Sequence, residues 1–182
     1  MMPIQPIIPP CHIHITMMGS HVALAFIRDE LLYDIKNLCY VEADVKEGDE
    51  HSKHQIFDVC EDGNIDRVTR VLDLTFDKSV ELCYPYSKRE VRPCTRRDDE
   101  LDYEDEYVMH LDVPRTFSET TVSLLEKYIH ELLVYRVMED WLGITNPKAA
   151  EKWKEKADNI ENDIVATINH RTKVTRRKLT PW

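Results

Sequence analysis

Between Thr116 and Arg171, apolar residues recur at the spacing of two long helices. The first helix carries apolar residues three or four positions apart, which is the period of one helix face: Val122, Leu125, Ile129, Leu132 and Leu133. Further apolar residues cover much of its remaining circumference: Leu124, Tyr128, Tyr135, Met138, Trp141 and Leu142. A helix that is apolar on most sides packs against neighbours from several directions, so we expect it to be the central element.

Turn signals bound these two helices. Thr116 or Ser118 can cap the start of the first helix, and Gly143 is a residue type expected at its end. Asn146-Pro147 then has the cap and first-turn proline of a new helix. Its apolar positions form one narrow stripe: Trp153, Ala157, Ile160, Ile164 and Ile168. The pattern predicts an amphipathic helix that lies antiparallel on the first.

The patterns before residue 116 predict further helices and two strands. An apolar face runs from Ser20 to about Val41 and predicts a helix, and a second helix follows the cap residue Asn64 to about Ser79. The acidic, apolar-poor segment between them, residues 42–54, is typical of an exposed loop. The β-rich segments Val80–Tyr84 and Tyr107–Val113 predict an antiparallel hairpin.

We therefore expect a mainly α fold: a helical bundle with a long C-terminal αα-hairpin, plus one β-hairpin carrying a projecting charged loop. Residues 1–19 are rich in Pro and Ile and form an extended arm in this prediction. Residues 20–170 form a single helical domain with its β-hairpin at about 80–113. Residues 171–182 form a basic C-terminal tail.

Charge is distributed unevenly over the chain. The net charge of −10 discourages general binding to DNA phosphates. The predicted loop ends in an acidic run with almost nothing to bury: Asp98, Asp99, Glu100, Asp102, Glu104, Asp105 and Glu106. The tail is basic and ends in an aromatic residue: Arg171, Lys173, Arg176, Arg177, Lys178 and Trp182. It can bind nucleic-acid phosphates with Trp182 stacked on a base, dock on another protein, or fray as a free terminus.

Candidate chemistry is sparse. Cys11–His14, with His21 beyond, offers thiol and imidazole metal ligands, but zinc sites usually bring a second pair at recognisable spacing, and the sequence shows none. The five cysteines do not form a disulfide framework, and the four glycines include no phosphate-binding loop. The acidic run is too dense to build one tuned catalytic acid. We expect no enzyme activity, no metal and no cofactor.

The helical hairpin carries a family resemblance. The run Leu124–Ile129 continuing to Trp141, the turn Asn146-Pro147, and the helix from Trp153 to Arg171 resemble the head–tail connector (adaptor, or head-completion) proteins of tailed bacteriophages. The resemblance implies a structural virion protein that forms a ring of about twelve subunits under the portal. Such a ring extends the DNA channel and presents a platform for the next tail or ring protein.

The resemblance also implies roles for the charged segments. The basic tail, Arg171 to Trp182, would reach up to the portal protein. About twelve copies at −10 each carry a charge of roughly −120, which lets packaged DNA slide past without specific binding. The acidic run from Asp98 to Glu106 would line that channel or contact the next ring. The implied location is the portal vertex of the virion, and the host cytoplasm during assembly, with no membrane segment.

Two other classes stay open at the level of sequence. One is a small helical DNA-binding protein that acts in packaging or regulation through its basic tail. The other is a helical interaction module, or an enzyme whose site the sequence does not reveal.

Overall fold

The computed structural model describes residues 11–16, 19–46, 50–87, 105–114 and 117–169, and up to Ser20 and at Ser52 it describes the backbone alone. The strands are β1 (Cys11–Thr16), β2 (Gly19–Ile27) and β3 (Glu106–Val113). The helices are α1 (Arg28–Val45), α2 (Glu50–Phe57), α3 (Ile65–Leu82), α4 (Tyr84–Ser87), α5 (Glu119–Thr145) and α6 (Pro147–Asn169), with a 3₁₀ turn at Asp58–Cys60.

The predicted fold class is confirmed. The described chain is mainly α-helical, α5 and α6 form the long C-terminal αα-hairpin, and β1 and β2 form a β-hairpin. Within the hairpin, Ser118 is the N-cap of α5, and Trp141 and Trp153 are both buried. Gly143 does not end α5, which continues to Thr145 because the Asn146 N–H still reaches the Leu142 carbonyl at 2.7 Å.

Helix α5 is the central element, as its apolar circumference predicts. It packs against α1, α2, α3 and α6. His130 and Met138 face α1, where they contact Asp34 and Cys39. Asp140 faces α3, and the Tyr135 ring lies tilted against the Trp153 ring of α6, with the ring centroids 5.2 Å apart. Since these residues lie on different sides of the helix, burial of α5 joins α1, α3 and α6 into one core, with α2 packed beside them.

The three strands form one antiparallel sheet in the order β1-β2-β3. Its inner face contributes alternating buried residues to the core: Val22, Leu24, Phe26, Tyr107, Met109, Leu111 and Val113. The predicted helix starting at Ser20 is therefore wrong as far as Ile27. The segment has a period of two in Val22, Leu24 and Phe26, and β3 pairs with it from Ser20↔Val113 to Ile27↔Glu106.

The predicted strand Val80–Tyr84 is also wrong, whereas its predicted partner is confirmed as β3. Residues 80–82 complete α3, because Phe76, Ser79 and Cys83 continue a buried helical stripe that the alternation over five residues concealed. The partner of β3 is β2, so the β-hairpin does not lie at about 80–113. The charged segment predicted as its loop lies between α4 and β3 in the chain, and residues 88–104 of it are outside the described residues.

Helix α2 replaces part of the predicted acidic loop 42–54. Ile56 and Val59, just beyond that loop, are fully buried, and the Trp141 indole N–H donates to the Ile56 carbonyl at 3.0 Å. This hydrogen bond and the burial of Ile56 hold α2 against α5. Residues 1–10 of the predicted arm, 98–104 of the acidic run and 171–182 of the tail lie outside the described residues. Among the described helices, none combines the length and apolarity needed to cross a bilayer.

Candidate interaction surfaces

Of the residues predicted to contact partners, Asp105 and Glu106 lie in the described part of the chain, and both are exposed. The Arg28 backbone N–H donates to the Asp105 carbonyl at 3.0 Å, and Glu106 is the register partner of Ile27. The C-terminal end of the acidic run is thus fixed where β2 meets α1. The other acids of the run and the whole basic tail lie outside the described residues.

A groove of about 610 Å³ lies between α3 and α5. Leu74 and Ile144 line it and are 72% and 58% exposed, so two large aliphatic side chains face solvent within one groove. Val71 and Thr75 line it as well, so the groove has an apolar component. We call it the α3–α5 groove.

Ion pairs bound the α3–α5 groove. Arg67 forms a two-pronged contact with Asp140, with Nε–Oδ2 at 2.6 Å and Nη2–Oδ1 at 3.0 Å. The hydrogen bond from Asp140 raises the pKa of Arg67 above its ordinary value. On the other side, Lys78 donates to Glu161 at 2.6 Å. The walls of the groove are therefore held by fixed charge pairs between helices.

Arg136 is the centre of the larger charge network. Its guanidinium contacts Glu139 and Glu161 at 2.5 Å and Asp158 at 2.7 Å, so it joins α5 to α6. Burial lowers the pKa of Arg136, but hydrogen bonds to Glu161, Glu139 and Asp158 outweigh that effect and raise the pKa above its usual range. Arg136 thus stays charged, and it contributes to the wall of the groove.

The outer side of α1 carries large exposed side chains among polar residues such as Asn37 and Asp44. Four large side chains on it are between 51% and 74% exposed: Tyr33, Tyr40, Val41 and Val45. The buried residues of the same helix, such as Leu31, Ile35 and Cys39, point to the core instead. At 1.5 Å per residue, the stripe is roughly 18 Å long. We call it the α1 outer face.

The two surfaces lie on different sides of the domain. Helix α1 packs on the side of α5 that carries His130 and Met138, whereas α3 packs on the side that carries Asp140. The α1 outer face points away from α5, and the α3–α5 groove opens on the other flank. Sequence reasoning missed both surfaces. The seven-residue spacing of Tyr33 and Tyr40 places both side chains on one side of a helix, and it could have indicated the α1 outer face.

The described residues carry little reactive chemistry. Among side chains that the structure describes, no three His, Cys, Asp or Glu residues are arranged to hold a metal ion. Burial raises the pKa of the Cys39 thiol to about 12, and the nearby Cys60 and Glu42 add to this effect, so Cys39 is protonated and a poor nucleophile at neutral pH. These properties are those of a buried packing residue.

Comparisons with protein-family models, with curated proteins and with solved structures find no match to this chain. The function is therefore inferred from the surfaces and the charged segments of the chain itself.

Proposed function

We propose that this protein is a structural virion protein that assembles into a ring, joins the capsid portal to the tail and extends the DNA channel. The observation that carries the proposal is the pair of separate surfaces with exposed large apolar side chains, the α1 outer face and the α3–α5 groove. A ring is built by head-to-tail contacts, which require two different surfaces on each subunit. A two-fold dimer, in contrast, requires one self-complementary surface.

The chemistry of the two surfaces suits contact with each other. Tyr33 and Tyr40 are large aromatic residues of the kind that anchor interfaces, and the groove offers a concave apolar wall at Leu74 and Ile144. Helix α1 has two bases and five acids, a net charge of −3. The three cations of the groove are each paired with acids, so we expect contact between the two surfaces to depend mainly on burial of their apolar side chains.

The remaining support comes from the resemblance of the αα-hairpin to connector proteins and from the charged segments. The basic tail follows directly on α6, the C-terminal helix of the hairpin, and we assign it to the portal. The acidic run ends at a fixed point, Asp105–Glu106, and we assign it to the channel wall or to the next ring. DNA would pass the acidic ring without specific binding.

The ring is tested by the oligomeric state of the full chain, measured by native mass spectrometry and negative-stain microscopy. We expect closed rings of the wild-type protein. Tyr33→Ser with Tyr40→Ser should give monomers, and so should Leu74→Ser with Ile144→Ser. The matched control is Val165→Ser, an exposed apolar residue of α6 outside both surfaces, and this variant should still form rings.

Mixing the two double variants distinguishes a head-to-tail contact from other modes of association. Each variant keeps one intact surface, so the mixture should form one-to-one dimers and nothing larger. Wild-type protein that stays monomeric, or rings that survive both double variants, would contradict the ring proposal.

The connection to the portal is tested by capture of the tagged chain from cells that produce the source virus. A portal-like protein should be captured in about equal amount and should be lost when residues after Arg171 are deleted. Changing the seven acids from Asp98 to Glu106 into Asn and Gln should impair DNA passage or ring stacking and so lower infectivity. Salt-sensitive capture of DNA through the tail, without a portal protein, would favour the DNA-binding alternative.

A further inference from the structure

A cleft of about 360 Å³ lies between the first half of α1 and the helix α5. Three acids, a tyrosine and a histidine line it: Asp29, Glu30, Asp34, Tyr33 and His130. The His130 Nε2 atom is 2.8 Å from Asp34 Oδ2, so this imidazole is already engaged by one of the acids. The other two acids leave the cleft with negative charge facing solvent. We call it the acidic cleft.

Asp29 and Glu30 supply this uncompensated charge. Both are exposed and lie in the first turn of α1, where a helix N-terminus attracts carboxylates. Among the residues that the structure describes, no cation forms an ion pair with either of them. Tyr33 is 70% exposed and lines the same cleft, and an aromatic face attracts the cationic groups of arginine and lysine. The acidic cleft therefore has the chemistry to bind a basic segment of chain.

The last turn of α6 lies at the same end of the domain as the acidic cleft. Helix α1 runs parallel to α5, because Asp34 contacts His130 and the Lys46 amine donates to the Thr145 carbonyl. Helix α6 runs antiparallel to α5 in the αα-hairpin, so its last residue, Asn169, lies near the start of α5. The start of α1 and the end of α6 are therefore both near the first residues of α5.

The helix contacts set the distance from the end of α6 to the acidic cleft. Along α5, Tyr135 is five residues from His130, or roughly 8 Å. Along α6, Trp153, whose ring lies against Tyr135, is 16 residues from Asn169, or roughly 24 Å. Asn169 thus lies roughly 16 Å beyond the level of His130. Since packed helix axes are about 8–10 Å apart, the cleft is within roughly 26 Å of Asn169.

The basic tail has the charge and the length to reach this cleft. Residues 170–182 follow α6 directly and lie outside the described residues. They contain five cations, counted as Lys and Arg, and no acid. The densest cluster, Arg176–Lys178, comes seven to nine residues after Asn169, which corresponds to roughly 23–32 Å of extended chain. This cluster therefore falls at the distance of the cleft, and its charge is opposite to that of the lining acids.

We propose that the acidic cleft binds the basic C-terminal tail of its own chain. The cluster Arg176–Lys178 places its charges against the carboxylates of the cleft, with one cationic group on the face of Tyr33. Each charged contact at so exposed a site is weak, but the tail is tethered, so its effective concentration at the cleft reaches the millimolar range. Binding within one chain needs neither a second subunit nor a portal, and a portal protein would have to draw the tail out of the cleft.

The first test is zero-length carbodiimide cross-linking of the full-length chain, which joins a lysine amine to a carboxylate in direct contact. Mass spectrometry should find a tail lysine, Lys173 or Lys178, joined to an acid of the cleft. An equal mixture of isotope-labelled and unlabelled chains shows which chain supplies the tail, and each link should join peptides of the same isotope only. Links between labelled and unlabelled peptides, or no link to the acids of the cleft, would overturn the proposal.

The second test measures how fast trypsin cleaves the tail of the full-length chain at its basic residues. The double variant Asp29→Asn, Glu30→Gln removes two charges of the cleft and breaks no ion pair between described residues. Its tail should be cleaved at least about threefold faster than that of the wild type, and about 0.5 M NaCl should abolish the difference. The matched control is Glu151→Gln with Glu155→Gln, two exposed acids of α6, and it should be cleaved at the wild-type rate.

Equal cleavage rates for the cleft variant and the wild type would refute binding of the tail at the acidic cleft. Equal acceleration in the α6 control would refute it as well, because the effect would then follow from net charge alone. Neither test requires a ring or a portal protein, so their outcome is separate from that of the ring proposal.

Discussion

Replacing Arg136 tests whether the charge network between α5 and α6 stabilises the domain. Arg136→Met keeps a long apolar side chain but removes the guanidinium that contacts Glu139, Asp158 and Glu161. The side chains of Arg136 and Glu161 are only 16% and 17% exposed, whereas Asp158 is 49% exposed. The loss should therefore come mainly from Glu161, which would keep Lys78 as its remaining cation.

The magnitude follows from this degree of burial. Removing one partner of a fully buried ion pair costs about 3–5 kcal/mol, and an exposed pair contributes about 0–1 kcal/mol. Arg136 lies nearer the buried limit, and Lys78 compensates part of the loss, so we expect about 2–3 kcal/mol. At about 2–4 °C per kcal/mol for a domain of this size, the midpoint of thermal unfolding should fall by about 4–12 °C.

The assay is urea unfolding with two double-mutant cycles. Arg136→Met is combined with Glu161→Gln in one cycle and with Asp158→Asn in the other. The coupling to Glu161 should be about 1.5–3 kcal/mol and that to Asp158 below about 1 kcal/mol. Arg70→Met, at an exposed arginine of α3, is the control and should change stability by no more than about 0.5 kcal/mol. A loss below about 1 kcal/mol for Arg136→Met, or equal couplings in both cycles, would refute the reasoning.

Three further substitutions test the core. Trp141→Phe removes the indole N–H that donates to the Ile56 carbonyl. It should lower the free energy of unfolding in urea by about 1–3 kcal/mol. An unchanged free energy would show that this hydrogen bond does not hold α2 on α5. Tyr107→Phe removes the hydroxyl that donates to Asp73 at 2.9 Å. It should lower the free energy of unfolding by about 1 kcal/mol, also measured in urea. An increase would show that this hydrogen bond does not stabilise the packing of β3 on α3. Burial raises the pKa of the Cys39 thiol to about 12 in the folded state, while the thiol of the unfolded chain has its ordinary pKa near 9. Between about pH 9 and about pH 12 only the unfolded chain gains by losing this proton. The folded state is therefore destabilised progressively as the pH rises through that range. Cys39→Ala should remove about 1.4 kcal/mol per pH unit from the slope of unfolding free energy in that range, and identical slopes for variant and wild type would refute it.

Local sequence signals determined the helices of the C-terminal half. The repeat through Val122, Ile129 and Leu133 is long enough to distinguish a helix from a strand, and Asn146-Pro147 marks the turn. Each signal acts within about one turn of helix, so it can be read without knowing the partner. The apolar circumference of α5 also predicted its central place.

Short segments were predicted less well. The apolar residues of segment 20–27 fit both a helix face and an alternating strand, and the segment was predicted as a helix but is a strand. Val80–Tyr84 also fits both patterns, and it was predicted as a strand but is mostly helical. Five to eight residues do not resolve the two periods. The tertiary structure decided both, because β3 needs a partner and the β2 side chains Val22, Leu24 and Phe26 complete the core beneath it.

The surfaces depended most on tertiary structure. The sequence by itself determined the charge balance, the central helix and the αα-hairpin, since these follow from composition and from residues close together in the chain. Only the fold placed Leu74 and Ile144 in one groove, joined Arg136 to Glu161 and brought His21 to His110. The physical reason is that these contacts join segments whose separation in sequence carries no signal, and they form only as the core and the sheet bury their shared apolar faces.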